Sequence, residues 1–300
     1  MSDNKLATLA VLATVFFWGG SGSITKIALR ELSPSILVTS RTLIAGLLLV
    51  IISKKIYGHV VLTKKDHKLL ALCGFVGYSV YFLLESYGFS LITAANGTLI
   101  LAAIPLFTVA IEVLWLKESI SFNKGLGVLI SMVGVGLVIG KSVSISGNSH
   151  EMLGTLFMLG AALSWAIYTI VAKGLNPEQP SVLLTAYQML YGVIFMIPAL
   201  LFEGVGSISI SPITIGSVLY LALFCSALAC FLFLIAIKGL GPSSTNVYLN
   251  LMPFVGIIVA YFVLGESLYP MQYIGGIVIV AGVFLVNYKG TQKAQVVIES

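Results

Sequence analysis

The chain has 300 residues, of which 58% are hydrophobic and only 9% charged, against roughly 45–50% and about 25% in a soluble domain. So few charges cannot cover a water-exposed surface, which excludes a pair of ordinary soluble domains. The formal net charge of +5 is no nucleic-acid signal either, because a basic membrane protein carries its excess in cytoplasmic loops.

Apolar runs punctuated by charge, Pro or Asn/Ser clusters place helices at about 6–27, 35–53, 69–89, 94–116, 122–140, 153–172, 182–202, 213–237, 243–264 and 271–288. The first run follows MSDNK, exceeds a signal-peptide core and lacks a small-residue cleavage site, so it reads as a retained helix. The runs are continuous rather than alternating, and backbone in lipid must satisfy itself, so helices win over a barrel. The expected fold is an all-α integral membrane protein with ten transmembrane helices and short loops. With the amino terminus inside, about twelve of the 16 basic residues fall on the cytoplasmic side, and only Lys26, Arg30 and Lys141 fall outside. The positive-inside rule then puts both termini in the cytoplasm. Cys73, Cys225 and Cys230 lie inside apolar runs and read as buried small hydrophobes.

A shift of about 146 to 148 residues superposes the two halves. Trp18 falls on Trp165, Lys26 on Lys173, Thr39 on Thr185, Pro105 on Pro253, Glu118-Ser119 on Glu266-Ser267 and Gly134 on Gly282. The domains are therefore 1–145 and 146–290, with 291–300 as a cytoplasmic tail. Each half holds five helices, and an odd number makes the second half enter from the opposite face. Inverted repeats of this kind recur in secondary transporters, around a midplane site.

Trp18-Gly19 and Lys26, Arg41 after Pro34, Ser164-Trp165 with Lys173, and two copies of Pro-x12-Glu before a glycine-rich helix resemble the EamA-type transporters of the drug/metabolite transporter superfamily. The resemblance spans about residues 6 to 288. It implies a cytoplasmic-membrane carrier, often an exporter of amino acids, other metabolites or drugs, whose central cavity is lined by helices 1, 3, 4, 6, 8 and 9.

Arg41 and Glu85 are ionisable residues at similar depth inside membrane helices, where each costs about 2.5–3.5 kcal/mol or more. Either they form a buried pair bracing helices 2 and 3, or Glu85 binds a cation or carries a coupling proton, with Tyr78 and Tyr81 on a similar face. Trp18 and Trp165, near mid-depth, are expected to wall the cavity, with Ser164 and Tyr168 beside them. Asn96, Asn246, Tyr248 and Asn250 are polar starts of helices 4 and 9 and join the substrate-binding set. Pro105 and Pro253 read as paired kinks or hinges, and Glu118 and Glu266 as structural residues that cap the next helix or pin a loop. Glu112 is expected to reach headgroup depth.

Residues 135–142 imitate a phosphate loop but carry Val135 where a Gly is required, so no ATP-driven pump is implied. His59, His67 and His150 are all expected in loops, leaving no catalytic or metal site, and no cofactor is expected. The leading reading is a secondary active transporter of small organic solutes working by alternating access, with protons as a candidate coupling ion, as a monomer or homodimer. The alternative is a membrane-embedded enzyme or sensor acting on lipid-linked or amphipathic ligands.

Overall fold

The computed structural model describes residues 3–117, 123, 125–127, 129–134, 136–137, 149–203, 210–266 and 269–287. Among them there are helices and no strand. In chain order these are α1 (Lys5–Ala28), α2 (Pro34–Tyr57), α3 (Lys64–Leu91), α4 (Ala94–Leu114), α5 (Gly125–Gly134), α6 (Ser149–Ala172), α7 (Ser181–Glu203), α8 (Pro212–Leu240), α9 (242–264) and α10 (Pro270–Asn287). Seven of them, α1 to α4 and α6 to α8, are long and apolar enough to cross a membrane. Large apolar side chains stand on the outside, with Phe202 92%, Phe262 79% and Leu114 76% exposed. A surface of that kind is stable against lipid rather than water.

Two helices break at the paired prolines. In α4, Ala102 and Ala103 bond three residues back, to Leu99 and Ile100, before Ile104–Leu114 resumes with Pro105 in its first turn. In α9 the turn Leu249–Leu251 is 3₁₀, and Met252–Leu264 resumes with Pro253 in its first turn. Proline lacks the N–H for a bond four residues back and its ring clashes with that carbonyl, so the chain tightens just before it. The sequence gives no such warning for α3 and α8. Each contains a π-helical segment, Gly74–Val80 and Leu221–Leu228, and the two start 147 residues apart.

The pairing of helices crosses between the halves. α1 packs on α8 and α9, α6 packs on α3 and α4, and α2 and α7 share an extensive contact. α7 also rests on the π segment of α3, and α2 on that of α8. Glycine makes the approach possible: a Cβ on Gly74 would stand 2.6 Å from the Gln188 carbonyl oxygen, and one on Gly192 2.6 Å from Tyr78 Cβ. The glycines of α10 serve α5 within the same chain, since a Cβ on Gly282 would stand 2.6 Å from the Gly127 carbonyl and one on Gly134 2.7 Å from that of Gly275.

Three carboxylates close one end of the bundle by capping helix starts far away in sequence. Glu31 accepts the Ser211 amide at the start of α8 (2.7 Å). Glu203 accepts the Ser35 amide at the start of α2 (3.1 Å) and the hydroxyls of Ser35 and Tyr87. Glu266 accepts the amides of Ala94 and Ala95 at the start of α4, both at 3.1 Å. Negative charge is favoured where free N–H groups and the helix dipole converge. Glu266, expected to cap the next helix or pin a loop, does cap a helix start, but that helix is α4, far away in sequence. Glu118, its counterpart, lies outside the described residues. At the same end Lys26 Nζ donates to the carbonyls of Ile92 (2.6 Å) and Phe89 (3.3 Å) at the end of α3.

The opposite end is basic, with Lys54 and Lys55 closing α2, Lys64, Lys65 and Lys68 opening α3, and Lys238 donating to the Gln179 carbonyl (2.9 Å). Here α3 starts earlier than its apolar run, because Thr63 and Asp66 form a reciprocal capping box. His67 is thus helical rather than in a loop, and its Nδ1 lies 2.9 Å from the Tyr191 hydroxyl on α7. His150 is helical too, in the first turn of α6. Glu112, expected at headgroup depth, is instead buried, at 6% exposure.

The Ser211 amide, with the hydroxyls of Thr214 and Ser211, holds the exposed Glu31 carboxyl below the usual carboxylate range. A depressed folded-state value means that its stabilisation is present above the unfolded pKa and is lost as pH falls through the folded one. Glu31→Gln is therefore expected to lower the thermal midpoint slightly at neutral pH, and the gap to wild type is expected to close on acidification below the ordinary carboxylate range. Melting curves of both proteins from pH 7 to pH ~3 check this.

Candidate functional site

The residues singled out in helices 1, 3 and 6 converge on the middle of the bundle. Trp18 meets Trp165 edge to face at 5.1 Å and 84°. Trp165 continues onto Tyr81 (4.6 Å), Tyr168 (4.8 Å) and Phe233 (5.3 Å). Tyr168 meets Tyr78, which meets Phe82. Trp18, Tyr78, Tyr81, Trp165 and Tyr168 are all buried. The expected cavity walls are thus in mutual contact: in this conformation the centre is a packed aromatic cluster, a correction to the picture of an open chamber.

The π segments explain how α1 and α6 are held there. Each π segment presents a carbonyl that accepts a donor from a neighbouring helix. Trp18 Nε1 donates to the Cys225 carbonyl at 2.7 Å, and Cys225 Sγ donates back to the Phe17 carbonyl at 3.3 Å. On the other side of the cluster, Ser164 Oγ donates to the Val76 carbonyl at 2.7 Å. Each half thus places a helix against the π segment of the other half. Trp165 Nε1, by contrast, is buried without a partner.

Arg41 and Glu85 border this cluster without forming a direct ion pair. The Arg41 guanidinium lies 4.1 Å over the Phe82 ring, and its Nε donates to Ser226 Oγ at 3.2 Å. Its Nη1 is buried with no partner. Glu85 accepts from the Tyr81 hydroxyl at 2.9 Å, and Arg41 is the cation that acts on it electrostatically. The brace expected between helices 2 and 3 is therefore indirect, running through Phe82. Arg41 and Glu85, each 5% exposed or less, retain hydrogen-bonding capacity toward a third body.

Asn246 ties the basic end of the cluster. Its Nδ2 donates to Thr108 Oγ1 on α4 (2.9 Å) and to Thr169 Oγ1 on α6 (3.0 Å), while its Oδ1 is buried and unpartnered. At the carboxylate end the corresponding contacts use small residues. A Cβ on Gly22 would stand 2.7 Å from Phe89 and one on Gly256 2.9 Å from Thr98. Asn96 does not join the centre: it lies in the first turn of α4, where its amide bonds Thr93 Oγ1. Tyr248 is half-buried against the core, and Asn250 falls in the 3₁₀ turn of α9. Among the described residues no group of three or more His, Cys, Asp or Glu could hold a metal ion.

Sequence reasoning missed Phe82, Ser226, Phe233, Thr108 and Thr169. Phe82 alone carried a usable signal, three residues before Glu85 on the same helix face.

The model of the EamA-like transporter family matches residues 5–140 and 152–288. The chain belongs to this family and is a multi-pass membrane protein. It is similar to an uncharacterized transporter of Archaeoglobus fulgidus, with 28% identity over 96% of this chain and 100% of that protein. An uncharacterized transporter of Bacillus subtilis is 28% identical over 97% of this chain and 95% of its own length. A probable terminal-alkyne amino-acid exporter of Streptantibioticus cattleyicolor is 27% identical over 94% of this chain and 93% of its own length. A solved crystal structure shares the fold with a TM-score of 0.67 at 16% identity, over 94% of this chain and 96% of that one.

The close fit around the π segment of α3 gives a direct test of the packing. A Cβ on Gly77 would stand 2.3 Å from the Tyr168 ring, whereas one on Gly216 meets nothing within 4 Å. Gly77→Ala is expected to destabilise the protein by about 1–3 kcal/mol through overpacking. Gly216→Ala is expected to be neutral or to stabilise by up to about 1 kcal/mol. Thermal melts of the two variants in detergent check the contrast.

Proposed function

We propose that the protein is a secondary active transporter that exports small organic solutes, amino acids foremost, across the cytoplasmic membrane by alternating access. In this reading ten helices cross the bilayer as two inverted five-helix repeats, 1–145 and 146–290, with 291–300 as tail. The basic end faces the cytoplasm together with both termini. The reciprocal packing supports the repeat: α1 on α8 and α9 is mirrored by α6 on α3 and α4, the π segments recur 147 residues apart, and the family match falls in two stretches. Alternating access follows from exchanging the conformations of the halves around the centre, with the carboxylate caps closing one side and the Asn246 node the other.

The observation that carries the substrate reading is the unpaired charge at the centre. Arg41 Nη1 is buried without a partner and suits a carboxylate. Glu85, held by one tyrosine hydroxyl, suits an ammonium. The aromatic cluster beside them suits an apolar side chain. Together they fit a zwitterion, and one relative is named a probable amino-acid exporter. Proton coupling at Glu85 is the second role of the same carboxylate, reached by exchanging its proton when the solute leaves.

Proteoliposomes assayed with neutral amino acids, nucleobases and cationic drugs, with and without a pH gradient, test both roles. A neutral amino acid is expected to be carried, and Glu85→Gln is expected to reduce its transport by about tenfold or more, the worth of one buried charge-assisted hydrogen bond, and to remove any gradient dependence while the melting curve stays cooperative. Transport confined to cationic drugs, or unchanged by Glu85→Gln, would contradict the reading.

A further inference from the structure

At the basic end, away from the central cluster, the turn after α2 and the first turns of α7 enclose a cavity of about 390 Å³ lined by Lys54, Gly58, His59, Val60, Leu183 and Tyr187. Its floor belongs to both halves of the chain. Gly58 adopts a positive φ of 66°, which turns the chain sharply and brings His59 and Val60 back over the end of α2.

Charge in the segments that form this cavity is mainly positive, with Glu178, in the loop before α7, as an exception. Between residues 54 and 68 there are five lysines and two histidines against a single acid, Asp66. Asp66 is engaged by the Thr63 amide (2.9 Å) and hydroxyl (2.7 Å) in the capping box of α3, so its charge serves the helix start. The lining itself contains no acid. α7, a helix of 23 residues, begins at Ser181, so its positive dipole end and its first amides point to the same side as Lys54 and His59. The opposite walls, Val60, Leu183 and the Tyr187 ring, are apolar. Flanking them, Ile56 is 65%, Tyr57 51% and Val61 71% exposed, and α2 ends its membrane-crossing length at Tyr57. Cations beside exposed apolar side chains at the end of a span mark headgroup depth.

We propose that this cavity binds the phosphate of an anionic phospholipid, with Lys54 as its cationic contact, His59 as a second hydrogen-bonding contact, and Val60, Leu183 and Tyr187 against the glycerol and upper acyl region. Charge complementarity selects the anionic headgroup, and the apolar wall selects a lipid over free phosphate. Because α2 and α7 come from different halves and pack closely together, a lipid seated here bridges the halves. It is independent of which solute the centre carries.

Native mass spectrometry of the full chain in detergent tests the site, using phosphatidylglycerol, phosphatidylcholine and inorganic phosphate as separate probes. Wild type is expected to retain phosphatidylglycerol in preference to phosphatidylcholine. Lys54→Gln with His59→Gln is expected to weaken that binding by about tenfold or more. Lys64→Gln with Lys65→Gln, which removes two charges from the same loop outside the lining, is expected to weaken it by less than about threefold. Val60→Asp, which sets a carboxylate in the cavity, is expected to lose binding like the first pair and gives a second reading should that pair fold poorly. Equal loss in both lysine-bearing pairs would overturn the site in favour of diffuse surface charge. Unchanged binding in the Lys54/His59 pair would overturn it outright, and inorganic phosphate binding as tightly as the lipid would overturn the lipid assignment.

Discussion

The hydrogen bond from the Trp18 indole to the Cys225 carbonyl lands on the π-helical segment of α8, and much of the centre depends on that contact. A backbone carbonyl has two lone pairs, so one already bonded within its helix can still accept a donor from a neighbour, as Ala229 does from Thr14 Oγ1 at 3.2 Å. The π segments present two such acceptors. α1 takes one through Trp18, and α6 takes another through Ser164 at the Val76 carbonyl. These two contacts fix the facing tryptophans, and the tryptophans in turn fix Tyr81, Tyr168 and Phe233. A π segment stores no extra hydrogen bond and packs less tightly than α, so it is a place where a helix can rearrange at small cost.

The ends of the bundle are closed by different physics. At one end, carboxylates from the end of α7 and from loops after α1 and α9 reach across to the starts of α2, α8 and α4, trading a charge–dipole attraction for rigidity. At the other end a neutral amide, Asn246, links α4 and α6 through two threonine hydroxyls, beneath a surface rich in lysine. The first closure is exposed to pH and salt, and the second is shielded from both. The two ends of the bundle are therefore expected to respond differently to the medium.

Most of the fold was legible in the residues, since a helix that must satisfy its own backbone in lipid shows as a continuous apolar run, and each of the ten runs contains a described helix. The early start of α3 was legible too, in the Thr63-x-x-Asp66 capping box, but the apolar run alone hid it and put His67 in a loop. The site was legible in its members and not in its contacts. Trp18, Trp165, Arg41 and Glu85 stood out by depth or charge, whereas of the partners of Arg41 only Phe82 carried a signal, its spacing from Glu85, and Ser226 is unremarkable for an apolar helix. Glu266 was marked by repetition, yet its partner lies 172 residues away, beyond any local rule. The π segments left no common signature, because Gly74 and Gly77 mark one while the other is built from Leu, Ala, Phe, Cys and Ser.

The central claim is that the aromatic centre is closed at rest by helices docked on the π segments and opens when solute passes. Cys225 is buried in that contact and reports on it without a foreign residue. In a variant with Cys73→Ser and Cys230→Ser, reconstituted in liposomes, labelling of Cys225 by a water-soluble thiol reagent is the direct measurement. The account predicts little labelling at rest and a rise during solute-driven turnover. Rapid labelling at rest, or transport that proceeds with Cys225 equally protected throughout, would contradict it.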